Sequence, residues 1–169
     1  MITQIAWFER SFSFNHPVGY FPVIIERLRG TTPHLQSLVE GQPEHRLVYK
    51  RQGSWSVKEQ IGHLFDLEEL WYGRIEDYLS GKTILRAADL RNTKTHQANH
   101  NTYPADHLLQ QFFTARSRLI AKVEGIDEIT ALLTASHPRL QLPMRMIDSL
   151  FFVAEHDDHH LAKIREMLP

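Results

Sequence analysis

Residues 146–168 carry Ile147, Leu150, Phe151, Ala154, Leu161, Ile164 and Leu168 at helical spacing, with no Gly or Pro to interrupt them. A stretch of that length and period has to lay one face against other helices, so it constrains the fold more than any other part of the chain. The same stretch places His156, Asp157, Asp158, His159 and His160 in consecutive positions. His156 and His160 are four apart, one helical turn plus about 40°, so their rings lie on one face and can bite a single metal ion. His156 and His159, three apart, can do the same. The competing reading is a solvated helix face that happens to carry histidines.

Three further stretches share the helical period. Between Gly19 and Glu40, Phe21, Ile24, Ile25, Leu28, Leu35, Leu38 and Val39 define one face, interrupted at residues 30–33 by Gly-Thr-Thr-Pro. Pro33 takes away the hydrogen bond to the Arg29 carbonyl, and the pattern predicts one kinked helix rather than two, stopping at Gly41 and Pro43. Residues 42–55 read as a loop anchored by Leu47 and Val48. Ser56 and Glu59 then have capping-box spacing, and Val57, Ile61, Leu64, Phe65, Leu67, Trp71, Ile75 and Tyr78 carry a long amphipathic helix to Ser80 and Gly81. One polar residue, His63, breaks its buried side. Pro104 opens a helix carried by Leu108, Leu109, Phe112, Phe113, Leu119, Ile120 and Val123. The expected fold is all-α, a four-helix bundle in a single domain spanning 1–169, with connections of very unequal length.

Residues 82–103 are polar and aperiodic, and a connection of that length inside a compact domain is often functional or a crossover. Arg86, Arg91, His96, His100 and Asn101 lie in it and are candidates to cover a site, as is His137 in the connection 126–145; for each, a solvated loop is an equal reading. A short helical piece is expected around 127–133, and no strand-like alternation stands out. Trp7, Phe8, Phe12 and Phe14 belong to an extended or partly helical lead, 1–17, that packs its rings on the body, and their number predicts a homodimer with an apolar interface.

Composition removes several classes of function. With no cysteine, disulfides, thiolate nucleophiles, iron–sulfur clusters and cysteine-type zinc sites are excluded. A net charge of −1 and the lack of a basic stripe leave no footprint for nucleic acid. No segment reaches the length of a membrane span and no leader is visible, so the expectation is a cytoplasmic protein without membrane partners. The 11 histidines favour a metal.

His63, flanked by Ile61, Leu64 and Leu67, is the third candidate ligand. Alone it reads as a hydrogen-bonded core histidine; beside His156 and His160 on another bundle helix it completes a set of three imidazoles with an open position for water, the catalytic pattern. A zincin needs Glu after the first histidine where this chain has Asp157, and a di-iron bundle needs Glu-x-x-His on two helices, which Glu155-His156 and Glu68-Glu69 do not supply. Asp157 and Asp158 read as residues that orient imidazoles or sit in solvent.

Residues 55–64, Trp-Ser-Val-Lys-Glu-Gln-Ile-Gly-His-Leu, with Glu68 and Glu69 behind them, resemble the second-helix signature of the DinB/YfiT superfamily. Residues 154–162, Ala-Glu-His-Asp-Asp-His-His-Leu-Ala, resemble its last-helix motif, and the likeness reaches back to residues 21–41. The resemblance implies a four-helix bundle binding a divalent metal, commonly nickel or zinc, through His63, His156 and His160, with His159 outside the pattern. It also implies a reaction on a small molecule, either transfer of a low-molecular-weight thiol to an electrophile or hydrolysis. A non-catalytic metal-binding bundle of the stress response is the alternative. The damage-inducible origin of the family's name implies no contact with DNA.

Overall fold

The computed structural model describes residues 2–51 and 53–168; Met1, Gln52 and Pro169, which fall in the expected lead, the expected loop 42–55 and the end of the expected domain, lie outside the described residues. Four long helices form where the periodicity places them: α1 (Phe21–Val39), then a single turn α2 (Glu44–Leu47), α3 (Val57–Leu79), a short α4 (Thr93–Gln97), α5 (Ala105–Val123), one turn α6 (Glu128–Ala131), and α7 (Met146–Met167). Helix α1 runs continuously through Pro33. Helix α3 starts on the expected capping box, in which Ser56 Oγ accepts from the Glu59 amide and Glu59 accepts from the Ser56 amide. It ends before Gly81, whose φ of 72° only glycine adopts easily.

Two apolar clusters fix the direction of every helix. One gathers Ile24 and Leu28 of α1, Trp71 and Ile75 of α3, Leu119 and Val123 of α5, and Ile147 and Leu150 of α7. The other gathers Leu35 and Leu38, Val57 and Ile61, Leu108 and Phe112, and Leu161 and Ile164 from the same four helices. Hence α1 and α7 run one way, and α3 and α5 run the other. The strongest packing is between these parallel pairs, α3 on α5 and α1 on α7, with antiparallel contacts α1 on α5 and α3 on α7.

A parallel α3–α5 pair explains why connection 80–104 is long: the chain leaves α3 at one end of the bundle and must return to the other. It does so along α3, donating the Arg86 amide to Asp77 and meeting Asp66 with Thr95 and His100 and Ser56 with Asn101. Two glycines let it lie close. A Cβ on Gly62 would stand 2.2 Å from the His100 ring, and one on Gly73 would stand 1.9 Å from the Arg86 guanidinium. Glycine inside a helix costs about 1 kcal/mol relative to alanine, which this close approach offsets.

Several expectations need correction. The buried side of α3 is broken by far more than His63: Lys58, Gln60, Asp66, Glu68, Arg74 and Asp77 are buried as well. Each meets a partner from another segment, as Glu68 meets Arg116 and Asp66 meets His100, and periodicity within one helix carries no sign of that. The connection 126–145 holds a two-stranded hairpin, β1 (Thr134–Ser136) with β2 (Pro143–Arg145), besides the turn α6. Three-residue strands are too short to show alternation. The loop 42–55 holds the turn α2, whose Glu44 pairs with the buried Lys58. In the lead, Trp7, Phe12 and Phe14 pack on the core as expected, whereas Phe8 is 61% exposed.

Candidate metal centre

His63 on α3 and His156 and His160 on α7 are all buried, and each offers a ligand atom within 4.8 Å of the others'. The antiparallel α3–α7 contact brings them together, since the middle of one helix faces the middle of the other. His159 is not part of this convergence; its ring lies 5.6 Å from that of Trp7. The pair four apart is therefore the one that converges with His63.

Hydrogen bonds set the tautomers. His160 Nδ1 lies 2.5 Å from Gln60 Oε1, which can only accept, so the proton is on Nδ1 and Nε2 presents a lone pair. Thr95 Oγ1 donates to Asp66 Oδ2 at 2.9 Å, so it accepts from His63 Nδ1 at 3.1 Å and His63 Nε2 is bare as well. His100 Nε2 donates to the same Asp66 oxygen at 2.8 Å. The Nε2 atoms of His156 and His160 are 3.2 Å apart. A tetrahedral ion with bonds of about 2.0–2.1 Å spaces its nitrogens about 3.3 Å apart, so these two already have the separation a shared ion requires. His156 Nδ1 is buried without a hydrogen-bond partner among the described residues.

Burial keeps the rings neutral, the form that ligates. It holds His63 at about 4, even though the Asp66 charge pulls upward, and it holds His156 and His160 well below the usual imidazole range, with the neighbouring rings adding to the effect. The residues present fit a divalent ion: three neutral imidazoles, two with their outer nitrogens engaged, the arrangement that orients ligands in such sites.

The three rings face a cavity of about 370 Å³. Trp7, Trp55, Trp71 and Phe152 wall it, with the Trp7 ring edge-on to His156 at 4.9 Å and Trp55 against His63 at 4.6 Å. Connection 80–104 does cover part of the mouth, but through residues 87–90 and Asn92. Of the candidates in that connection, Arg86 grips Asp77, Arg91 and His96 are exposed, His100 holds Asp66, and Asn101 accepts from Ser56. His137 is buried in the cavity wall, where Arg74 donates to its Nε2 at 3.1 Å; it is no surface residue. Asp157 and Asp158 orient no imidazole: Asp157 is buried on Arg116, and Asp158 pairs with Arg27 at the surface.

Gln60, Asp66 and Thr95 are the residues that sequence reasoning missed. Gln60 and Asp66 stand three positions either side of His63 and so share its face, a signal that was present. Thr95 had none, because its position depends on the path of the crossover.

The family model described as the DinB superfamily matches residues 27–164. Among solved structures, YfiT from Bacillus subtilis, described as a probable metal-dependent hydrolase with an unusual four-helix bundle topology, superposes with a TM-score of 0.82 at 20% identity, covering 94% of this chain and 91% of that one. A mycothiol-dependent maleylpyruvate isomerase superposes with a TM-score of 0.68 at 12% identity; 85% of this chain is covered, and it spans 60% of the isomerase. Comparison with curated proteins finds no match.

Proposed function

This chain belongs to the DinB superfamily, and from that premise together with its three converging imidazoles we propose that it is a metal-dependent enzyme acting on a small molecule. The observation that carries the reading is the pair of bare Nε2 atoms on His63 and His160, fixed by Thr95 and Gln60 and facing His156 beside an open cavity. Zinc or nickel suits three neutral imidazoles. Such an ion supplies Lewis acidity that brings a coordinated thiol or water near its deprotonated form at neutral pH. The chain itself does the rest. Gln60 and Thr95 hold two rings in one tautomer, the indoles of Trp7, Trp55 and Trp71 limit water, and residues 87–90 close one wall.

Thiol transfer to an electrophile is the first reaction class and hydrolysis the second; the descriptions of the two structural relatives name a hydrolase and a thiol-dependent isomerase. A non-catalytic bundle would close its ion with a fourth protein ligand, and among the described residues only three donors converge. We further propose that it works in the cytoplasm as a homodimer, with the exposed Ile2, Ile5 and Phe8 of the lead as part of the interface. No described helix is long and apolar enough to cross a membrane.

The test pairs metal analysis with an assay offering a small thiol and an activated aryl halide, then a panel of esters and amides. Turnover is expected to disappear on chelation, to return with zinc or nickel, and not to return in His63→Ala. Turnover that survives complete demetallation overturns the mechanism. Light scattering that gives a monomer at micromolar concentration overturns the dimer.

A further inference from the structure

The cavity that meets the imidazoles has a second, cationic end. Arg74, 4% exposed, lies on α3 one turn beyond Trp71, and Arg139 enters from the turn between β1 and β2; both line the cavity. Arg74 donates Nε to the Arg86 carbonyl at 3.1 Å and Nη1 to His137 Nε2 at 3.1 Å, two uncharged acceptors, and its Nη2 has no hydrogen bond among the described residues. Arg139 Nη2 is buried with no hydrogen-bond partner among the described residues.

The nearby carboxylates are engaged elsewhere. Asp77, whose charge reaches Arg74, is held by the Arg86 amide and guanidinium at 2.9–3.0 Å. Asp89, the carboxylate on the cavity wall, accepts from the amides of Arg91 and Thr93. What the two guanidiniums do have is aromatic faces: Arg74 over Trp71 at 5.3 Å, and Arg139 over Phe8 at 5.2 Å and Phe152 at 6.0 Å. Such contacts recover part of the cost of desolvating a cation and leave its N–H donors unused. Burial, helped by the Arg139 charge, depresses Arg74 to about 10.

We propose that Arg74 and Arg139 form a carboxylate-binding subsite that anchors the substrate of this cavity. Arg74 keeps Nη2 unused and no nitrogen of the Arg139 guanidinium donates to a described residue, so two planar guanidiniums are left to meet the planar pair of oxygens of a carboxylate. One indole, Trp71, lies between the anchor and the metal centre: its ring is 5.8 Å from that of His156. The substrate class is accordingly a carboxylic acid with a short apolar body along Trp71 and Phe152, its reacting end at the imidazoles. That last placement rests on the metal-dependent reading; the anion subsite does not.

All three tryptophans of the chain line the cavity, so intrinsic fluorescence reports its occupancy directly. We would titrate 3-phenylpropanoate, 3-phenylpropanamide and 2-phenylethyl phosphate into the metal-loaded and the chelator-stripped protein. The carboxylate should bind at least about tenfold more tightly than the amide in both forms, and Arg139→Gln should remove about that factor for the carboxylate alone. Arg139 is in no ion pair with the described residues, so this variant should keep the wild-type Tm, and Arg139→Lys should recover part of the affinity. Equal binding of acid and amide, or an unchanged affinity in Arg139→Gln, overturns the subsite. Carboxylate binding that vanishes with the metal puts the anion on the ion and overturns it too, and tighter binding of the phosphate overturns the carboxylate assignment. If no metal is ever bound, the metal-dependent reading fails while the stripped-protein titration still decides the subsite.

Discussion

Two polar clusters sit at the same level of the bundle, and neighbouring residues of α7, His156 and Asp157, feed one each. Asp157 turns inward to Arg116, which also holds Glu68 with contacts of 2.6 and 3.1 Å and donates to the Leu28 carbonyl, while Thr31 donates to Asp157 at 2.8 Å. Each long helix contributes one residue to this layer, between the two apolar clusters. It is charged, closed and fully partnered: burial alone would depress Arg116, but Asp157 and Glu68 outweigh it and push it up. His156 turns the other way, into a cluster of neutral rings with bare nitrogens, an orphaned Nδ1 and a cavity in front. Equal burial thus serves two ends. A cluster whose valences are filled fixes the register of four helices, and a cluster whose valences are open is built to take something in.

Acid should separate the two most strongly. In chelator-stripped protein, burial holds His63, His137 and His159 at about 4, whereas an unfolded imidazole titrates near 6.5. Above about pH 6.5 the rings are neutral in both states and add no pH dependence. Below it the unfolded chain takes up protons that the folded chain refuses, so stability should fall as pH drops from about 6.5 toward 4, by more than about 3 kcal/mol in sum. Urea unfolding at several pH values measures this; a flat profile across that window would show the rings to be solvated. The closed layer predicts the next largest effect. Arg116→Met leaves Glu68 and Asp157 facing each other in the core and should cost about 3–5 kcal/mol at neutral pH. A loss below about 1 kcal/mol in denaturant titration would mean the layer is not the rigid element described.

The sequence made the open cluster easier to read than the closed one. His156 and His160 announce themselves by spacing within one helix, and His63 by breaking an apolar face. The closed layer draws one residue from each of four helices, so Thr31, Glu68, Arg116 and Asp157 look like ordinary surface positions until the helix directions are known. Those directions follow from connection 80–104, whose length pointed to a crossover but whose path did not show that Thr95 would reach His63. The four helices and the capping box of α3 were legible because period and caps are local; the hairpin of β1 and β2 was not, because three residues define no period.

Within the open cluster, α7 offers its own control. His156→Ala removes one arm of the proposed chelate and should weaken zinc affinity by more than about 100-fold. His159→Ala, three residues along and outside the convergence, should change it by less than about threefold. Competition with a chromophoric chelator gives both numbers on the same protein preparation, and equal losses would mean that the wrong pair of α7 histidines has been taken as the ligands.

The smallest effect tests whether the crossover tunes the site or only covers it. Asp66 touches no proposed ligand; its charge pulls on His63 from a distance, and through Thr95 it fixes the ring's tautomer, accepting from Thr95 Oγ1 and leaving that oxygen to accept the His63 Nδ1 proton. In Asp66→Asn the amide can donate to Thr95, which lets Thr95 donate to His63 Nδ1 instead and shifts the ring proton to Nε2, the atom that should ligate. Loss of this kind of outer hydrogen bond costs about 10–100-fold in metal affinity, and the low end is expected here because His156 and His160 remain. Thr95→Val should fall in the same range, since it removes the relay without adding a charge. Combining the two should give little more than either alone, because both break one chain of hydrogen bonds. Additive losses in the double variant, measured by the same chelator competition, would show that Asp66 and Thr95 reach His63 by separate routes.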